Sequence, residues 1–297
     1  MGDSLMNVQV AHRSPSHLGE GPVWDEAGHR LLWVDITAGE LHAYDPLTQL
    51  DQVIWRHEDV LAAVALATTG ELVLALRHHI VALNEVSGMI RPLAQLQVDA
   101  QVRFNDAGVD PAGRLVIGTM EEEPTPGTAA LFRLEYDGAI TTLLTGLGLS
   151  NGMCWDQAGR TLYFIDSLSV GIAAYDYPSS SGALGPPIRT IMIPEDVGIP
   201  DGMTIDAEGN LWVALWGGGA VWNLAPDGEL LATVEMPVSQ PTSVTFAGEG
   251  SPELYITSAT QHLSTERRAS EPLAGSLFRA SVAAQGTRER LVRLAPP

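Results

Sequence analysis

Four oxygen-bearing side chains stand at one offset from a recurring turn. Counting back eight residues from the glycines at 28, 113, 159 and 209 lands on Glu20, Asn105, Asn151 and Asp201. The same count from Gly70 and Gly250 lands on Ala62 and Thr242. Two carboxylates and two carboxamides, with no His, Cys, Lys or Arg among the six, suit a hard divalent cation whose remaining positions water fills. Asn-Gly and Asp-Gly are also strong turn dipeptides, and Asp-Gly at 137–138 and 227–228 reads as ordinary hairpin turns. Turn chemistry does not account for Glu20-Gly21 and Asn105-Asp106 falling in the same register. The set is therefore read as a site.

A repeat must position these residues. The stretch IPDGMTIDAEGNLWVALW, residues 199–216, alternates apolar residues, turns at Asp206–Gly209 and leaves through a second apolar run. That is the pattern of a β-hairpin whose strands each bury one face. Its turn glycine has equivalents at 28, 70, 113, 159 and 250, spaced by 42, 43, 46, 50 and 41 residues in chain order. Periods in the forties without a helical pattern indicate propeller blades. The expected fold is all-β, a six-bladed β-propeller of four-stranded antiparallel blades in a single domain over residues 1–297. Blades are expected at about 16–57, 58–99, 100–146, 147–196, 197–237 and 238–297. Residues 5–12, LMNVQVAH, alternate but precede the first blade, so they are expected to close the last one beside GSLFRASV (275–282). The first strand of each blade lines the channel, so the four polar residues form a ring at one mouth.

Other segments take their places around this frame. EEEPTPG (121–127) reads as a rim loop, SSSGALGPP (179–187) as a solvent loop between outer strands, and TRERLVRL (287–294) as a solvated edge strand. Trp212, Trp216 and Trp222 read as packing between blades. The glycine run 217–219 lacks a following helix or Gly-Lys-Ser/Thr, which argues against a phosphate loop.

Composition narrows the class of partner. Thirty-six acidic residues against sixteen basic ones give a formal net charge of −20, which argues against nucleic acid or an anionic membrane surface. The single cysteine, Cys154, excludes an internal disulfide and fits a reducing compartment. No run reaches signal-peptide or transmembrane length. The expectation is a soluble cytoplasmic protein that acts on a small molecule, as a monomer or small homo-oligomer.

LGEGPVWD (18–25), RFNDAGVDPAGRLVIGTM (103–120), LSNGMCWD (149–156) and IPDGMTID (199–206) resemble, in order, motifs of the senescence-marker/regucalcin/gluconolactonase family. The resemblance implies one divalent metal on the propeller axis, held by Glu20, Asn151 and Asp201. It implies substrate contacts from Arg103, Asn105 and a glutamate whose best match is Glu123. The activity it implies is metal-dependent hydrolysis of a sugar (aldono-) lactone to the aldonic acid. Calcium is the expected ion, with Zn²⁺, Mg²⁺ and Mn²⁺ as alternatives. A metal-bound carboxylate beside the attacking water is suited to take its proton, which makes Asp201 the candidate general base. Two other readings stand beside this one: a non-catalytic calcium- or sugar-binding propeller, and a paraoxonase-like esterase. The latter typically uses histidine near the metal, and only His17 lies close to a ring residue in sequence.

Overall fold

Each apolar alternation becomes a strand, and the strands assemble as six four-stranded antiparallel sheets. The structure, a computed structural model, describes residues 7–169, 171–177 and 184–294. Residues 5 and 6 of the closing strand and 179–183 of the expected solvent loop lie outside the described residues. In blade 1 the inner strand Gly19–Asp25 is followed outward by Arg30–Asp35, Glu40–Asp45 and Leu50–Arg56. Blades 2 to 5 repeat the order from inner strands Leu61–Leu66, Val102–Val109, Ser150–Trp155 and Ile199–Ile205.

The sixth blade is closed by both ends of the chain. Its inner strand Pro241–Phe246 is followed by Glu253–Ser258 and Leu277–Ser281, and the N-terminal strand Val8–His12 takes the outer edge. Val8 pairs with Ala280 and Val10 with Phe278. Blade 6 meets blade 1 through a 2.6 Å hydrogen bond donated by Thr242 Oγ1 to the Gly19 carbonyl. The Trp24 and Tyr255 rings stack there, with centroids 6.5 Å apart. Trp212 of blade 5 meets Phe246 of blade 6 edge-on at 5.8 Å, as expected for packing between blades.

Two features set the ends of the inner strands. At the turn end, Asp110, Asp156 and Asp206 each accept backbone N–H bonds from the residues that turn into the second strand. That is the local chemistry that makes Asp a turn former. At the opposite end every inner strand slips register against its neighbour: between Glu20 and Val23, Leu61 and Ala63, Phe104 and Ala107, Ser150 and Met153, Pro200 and Met203, and Pro241 and Val244. Such irregularities re-aim side chains. Here they recur at the register of the predicted ring.

The expected edge strand at 287–294 is a strap instead. Its backbone crosses the turn ends of the inner strands. Gln285 O accepts from Ala207 N, Gly286 O from Gly250 N, and Val292 N donates to Leu66 O. Arg293 N reaches Gly113 O, and Arg290 Nη2 reaches Asp156 O at 3.2 Å while its guanidinium lies over the Trp155 ring. The physical reason lies in the N-terminal strand, which already occupies the outer edge of blade 6. The C-terminal segment has no sheet edge left there, and it satisfies unpaired backbone groups at the floor of the channel.

Candidate metal and substrate site

The ring predicted from the repeat forms at one mouth of the channel. Glu20, Asn105, Asn151 and Asp201 are all buried, with exposures of 7%, 7%, 5% and 6%. Small residues after them let the inner strands crowd together. A Cβ added at Gly152 would stand 2.6 Å from the Asp201 carbonyl oxygen, and one at Gly202 would stand 2.7 Å from Ser243 Cα. Glycine at these positions therefore serves close approach between inner strands of neighbouring blades.

A directed chain of hydrogen bonds runs around half of the ring. Arg103 Nη1 donates to Asn105 Oδ1 at 2.8 Å and to the Phe104 carbonyl at 2.9 Å. Asn105 Nδ2 donates to Asn151 Oδ1 at 2.8 Å and to the Ser150 carbonyl at 2.9 Å. Asn151 Nδ2 donates to Ser167 Oγ at 2.9 Å, and Ser167 Oγ donates to the Pro200 carbonyl at 2.6 Å. Blades 3, 4 and 5 are linked by these bonds, from Arg103 to the residue before Asp201.

The other half of the ring is acidic and underpartnered. Among the described residues Glu20 Oε2 accepts only from its neighbour, Gly21 N, at 2.9 Å. No hydrogen bond or ion pair from a described residue reaches the Asp201 carboxylate. A third carboxylate, Asp106, sits in the irregular part of the blade 3 inner strand and accepts from Ala107 N at 2.7 Å. It lines a cavity of about 410 Å³ below the ring, which extends past Met153 and Cys154 to Glu289 and Arg290 of the strap. Burial raises the pKa of all three acids, and neighbouring charge adds to it at two of them: Asp106 acts on Glu20, and Glu20 with Asp106 acts on Asp201. Arg103, the one cation that opposes this for Glu20, is itself depressed to about 10 by burial. The Cys154 thiol is pushed up by burial, consistent with an inert structural thiol.

This donor set fits a divalent cation. Among the described residues no three His, Cys, Asp or Glu side chains gather at metal-binding spacing, so a cation here would be held by a mixed set. Glu20 and Asp201 supply negative charge that no ion pair from a described residue neutralises, and Asn151 Oδ1 supplies a neutral oxygen. Buried carboxylates that repel one another without a counter-charge are costly unless paired or metal-bound. A dication relieves that repulsion.

The rim is set by arginines. Arg77 grips Asp59 with Nε and Nη2 at 2.7 and 2.8 Å and holds Glu122 through Nη1. Glu122 Oε2 in turn lies 3.8 Å from Arg103 Nε. Glu123, the glutamate matched by family resemblance, is exposed on the rim loop, and the glutamate beside Arg103 is Glu122. Beyond the Glu122 ion pair, Arg103 Nε and Nη2 make no hydrogen bond to a described residue. His17, the histidine near Glu20 in sequence, bonds to Thr37 Oγ1 through Nδ1 at 2.7 Å. Ser167 was missed by sequence register, and Asp106, which the register places at the mouth end beside Asn105, was given no role. Asp106 follows a ring position inside a strand irregularity, and Ser167 comes from the loop after the second strand of blade 4.

Fold and site together define a six-bladed propeller with a buried cluster of carboxylates, carboxamides and one arginine at one mouth. A model of the SMP-30/Gluconolactonase/LRE-like region matches residues 18–260, and the chain belongs to this family. It is 38% identical to the pentonolactonase XacC of Haloferax volcanii over 96% of this chain and 97% of that protein. It is 37% identical to regucalcin of Xenopus laevis over 93% and 94% of the respective chains. The crystal structure of a calcium-binding protein, regucalcin, from Agrobacterium tumefaciens superposes with a TM-score of 0.89 at 28% identity. That match covers 97% of this chain and 98% of the other. Among the described residues no helix is long and apolar enough to cross a membrane.

Proposed function

We propose that the protein is a sugar lactonase that hydrolyses an aldonolactone to the aldonic acid with the help of one divalent cation, calcium being the expected ion. The observation that carries the reading is the pair of buried carboxylates, Glu20 and Asp201, without an ion-pair partner among the described residues, beside the oriented Asn151 oxygen. Relatives bearing the names pentonolactonase and regucalcin, at 38% and 37% identity over most of their length, support it.

Glu20, Asn151 and Asp201 would hold the cation, which when bound polarises the lactone carbonyl and stabilises negative charge on its oxygen. Asp201 takes a proton from the attacking water as its oxygen bonds to the carbonyl carbon. The ring C–O bond then breaks, the former ring oxygen takes up the proton that Asp201 received from the water, and the product is the open hydroxy acid. Arg103 directs its unoccupied N–H groups at substrate oxygens. Asn105 spends both amide hydrogens on Ser150 and Asn151. Its contact with substrate would therefore be through Oδ1, shared with Arg103. Glu123 on the rim loop would add a contact to sugar hydroxyls from above.

Hydrolysis of a panel of aldonolactones with calcium, and again after exhaustive chelation, tests the reading. Turnover that requires the cation supports it. Tight calcium binding without turnover of any lactone favours a binding protein.

A further inference from the structure

We propose that Ser167 is a positioning residue for the cation site. Its hydroxyl fixes which end of the Asn151 amide faces the channel and holds the peptide that leads into Asp201. The inference rests on reading Asn151 and Asp201 as metal ligands.

A carboxamide presents an acceptor oxygen and a donor nitrogen of nearly equal size. A site that uses the oxygen therefore needs something that forbids the reverse orientation. Around Asn151 that constraint comes from both ends of a chain whose polarity has one solution. At one end Arg103 can only donate, so the Asn105 atom beside it must be Oδ1. Asn105 Nδ2 then faces Ser150 O and Asn151, and the Asn151 atom that receives its hydrogen must be Oδ1. At the other end the Pro200 carbonyl can only accept, so the single Ser167 hydrogen goes to it at 2.6 Å. Ser167 Oγ is left as an acceptor for Asn151 Nδ2 at 2.9 Å. Both ends agree. The Asn151 oxygen faces Asn105 with a lone pair to spare, and the nitrogen is turned away.

Ser167 is itself rigidly held. It is 4% exposed and opens a short 3-10 turn, Ser167–Ser169. Its backbone N donates to Leu149 O, two residues before Asn151. The preceding Asp166 accepts from the backbone N–H groups of Gly148 and Leu149, and from Ser169 Oγ on the far side. The turn that carries the hydroxyl and the strand that carries Asn151 are thus tied to one carboxylate. Through Pro200 the same hydroxyl spans to blade 5. One oxygen sets the geometry of ligands on two blades.

Removing the hydroxyl leaves Asn151 Nδ2 buried without an acceptor and frees the Pro200 carbonyl. Groups that orient metal ligands through hydrogen bonds are typically worth about 10–100-fold in metal affinity. Calorimetric titration with calcium should give that weakening for Ser167→Ala, with Ser167→Thr, which keeps the hydroxyl, closer to wild type. Thermal unfolding in chelator should show both variants folded. If Ser167→Ala fails to fold, Ser167→Cys, with its weak sulfur acceptor, carries the same expected loss. Wild-type calcium affinity in Ser167→Ala, or equal losses in the Ala and Thr variants, overturns the positioning role alone. A wild-type protein that binds no divalent cation overturns this inference and the metal-dependent reading together.

Discussion

Asn105 Nδ2 lies 2.8 Å from Asn151 Oδ1, so the residue assigned to substrate and the residue assigned to metal share a hydrogen bond. A ring divided cleanly between the two tasks would let Asn105→Ala raise KM without touching metal affinity. The shared bond predicts both effects. KM should rise, and calcium affinity measured by titration should fall by about tenfold or more. Unchanged calcium affinity would show that Asn151 holds its orientation without Asn105.

Glu20→Gln probes the acidic half of the ring. Glu20 is raised by burial and by Asp106, and it raises Asp201 in turn. Neutralising it removes repulsion from the metal-free protein while deleting one of the two anionic ligands proposed for the cation. In chelator the variant should melt at or above the wild-type temperature, and its calcium affinity should be weaker. Activity should return as calcium is raised. Scanning calorimetry with and without calcium reads both signs, and a metal-free variant less stable than wild type would contradict the repulsion argument.

The register of turn glycines placed Glu20, Asn105, Asn151 and Asp201 together because a propeller converts a sequence period into a ring. What escaped that arithmetic depends on tertiary contacts. The register put Asp106 at the mouth end, but its place on the channel wall follows from the loss of register between Phe104 and Ala107, and no residue type announces that irregularity. Ser167 reaches Asn151 and Pro200 across 16 and 33 residues of sequence, with no motif of its own. TRERLVRL has the look of an edge strand, yet the edge it would need is occupied by residues from the other end of the chain.

Removal of residues 1–14 should lower the melting temperature substantially. It strips the ladder between Val8–His12 and Leu277–Ser281, with Val8 and Val10 lying against the blade 6 core. It also exposes the 277–281 strand as an unpaired edge, a site for association between chains. A truncated protein with wild-type melting behaviour and no tendency to associate would rule out this strand as the closure.

Glu289 gives a pH-dependent test of the strap. Burial raises its carboxyl from 4.5 to about 7, against the opposing effects of the Arg290 charge and backbone N–H. A raised carboxylate pKa favours folding below the unfolded value of 4.5, and that contribution is lost as pH climbs through 7. Glu289→Gln cannot ionise. Its melting temperature should match wild type near pH 5 and exceed it by about 2 °C or more at pH 8. A difference of the same size at both pH values would mean that shape, not charge, decides.

Asp201→Asn separates chemistry from assembly. The substitution keeps an oxygen and nearly the same volume at a site where the carboxylate makes no hydrogen bond to a described residue, so the fold should survive. Removing a charge repelled by Glu20 and Asp106 should even stabilise the metal-free protein. The amide cannot take a proton from water at neutral pH, and general-base catalysis is typically worth about 10²–10⁴-fold. Lactone turnover at saturating calcium should therefore fall by at least about a hundredfold. KM should change far less, because the proposed substrate contacts of Arg103 and Asn105 are left in place. Saturation with metal matters to the design, since a loss of turnover that extra calcium restores would reflect ligation alone. Near-normal turnover in Asp201→Asn at saturating calcium would place the base elsewhere, with Asp106, the next carboxylate down the channel, as the first residue to substitute.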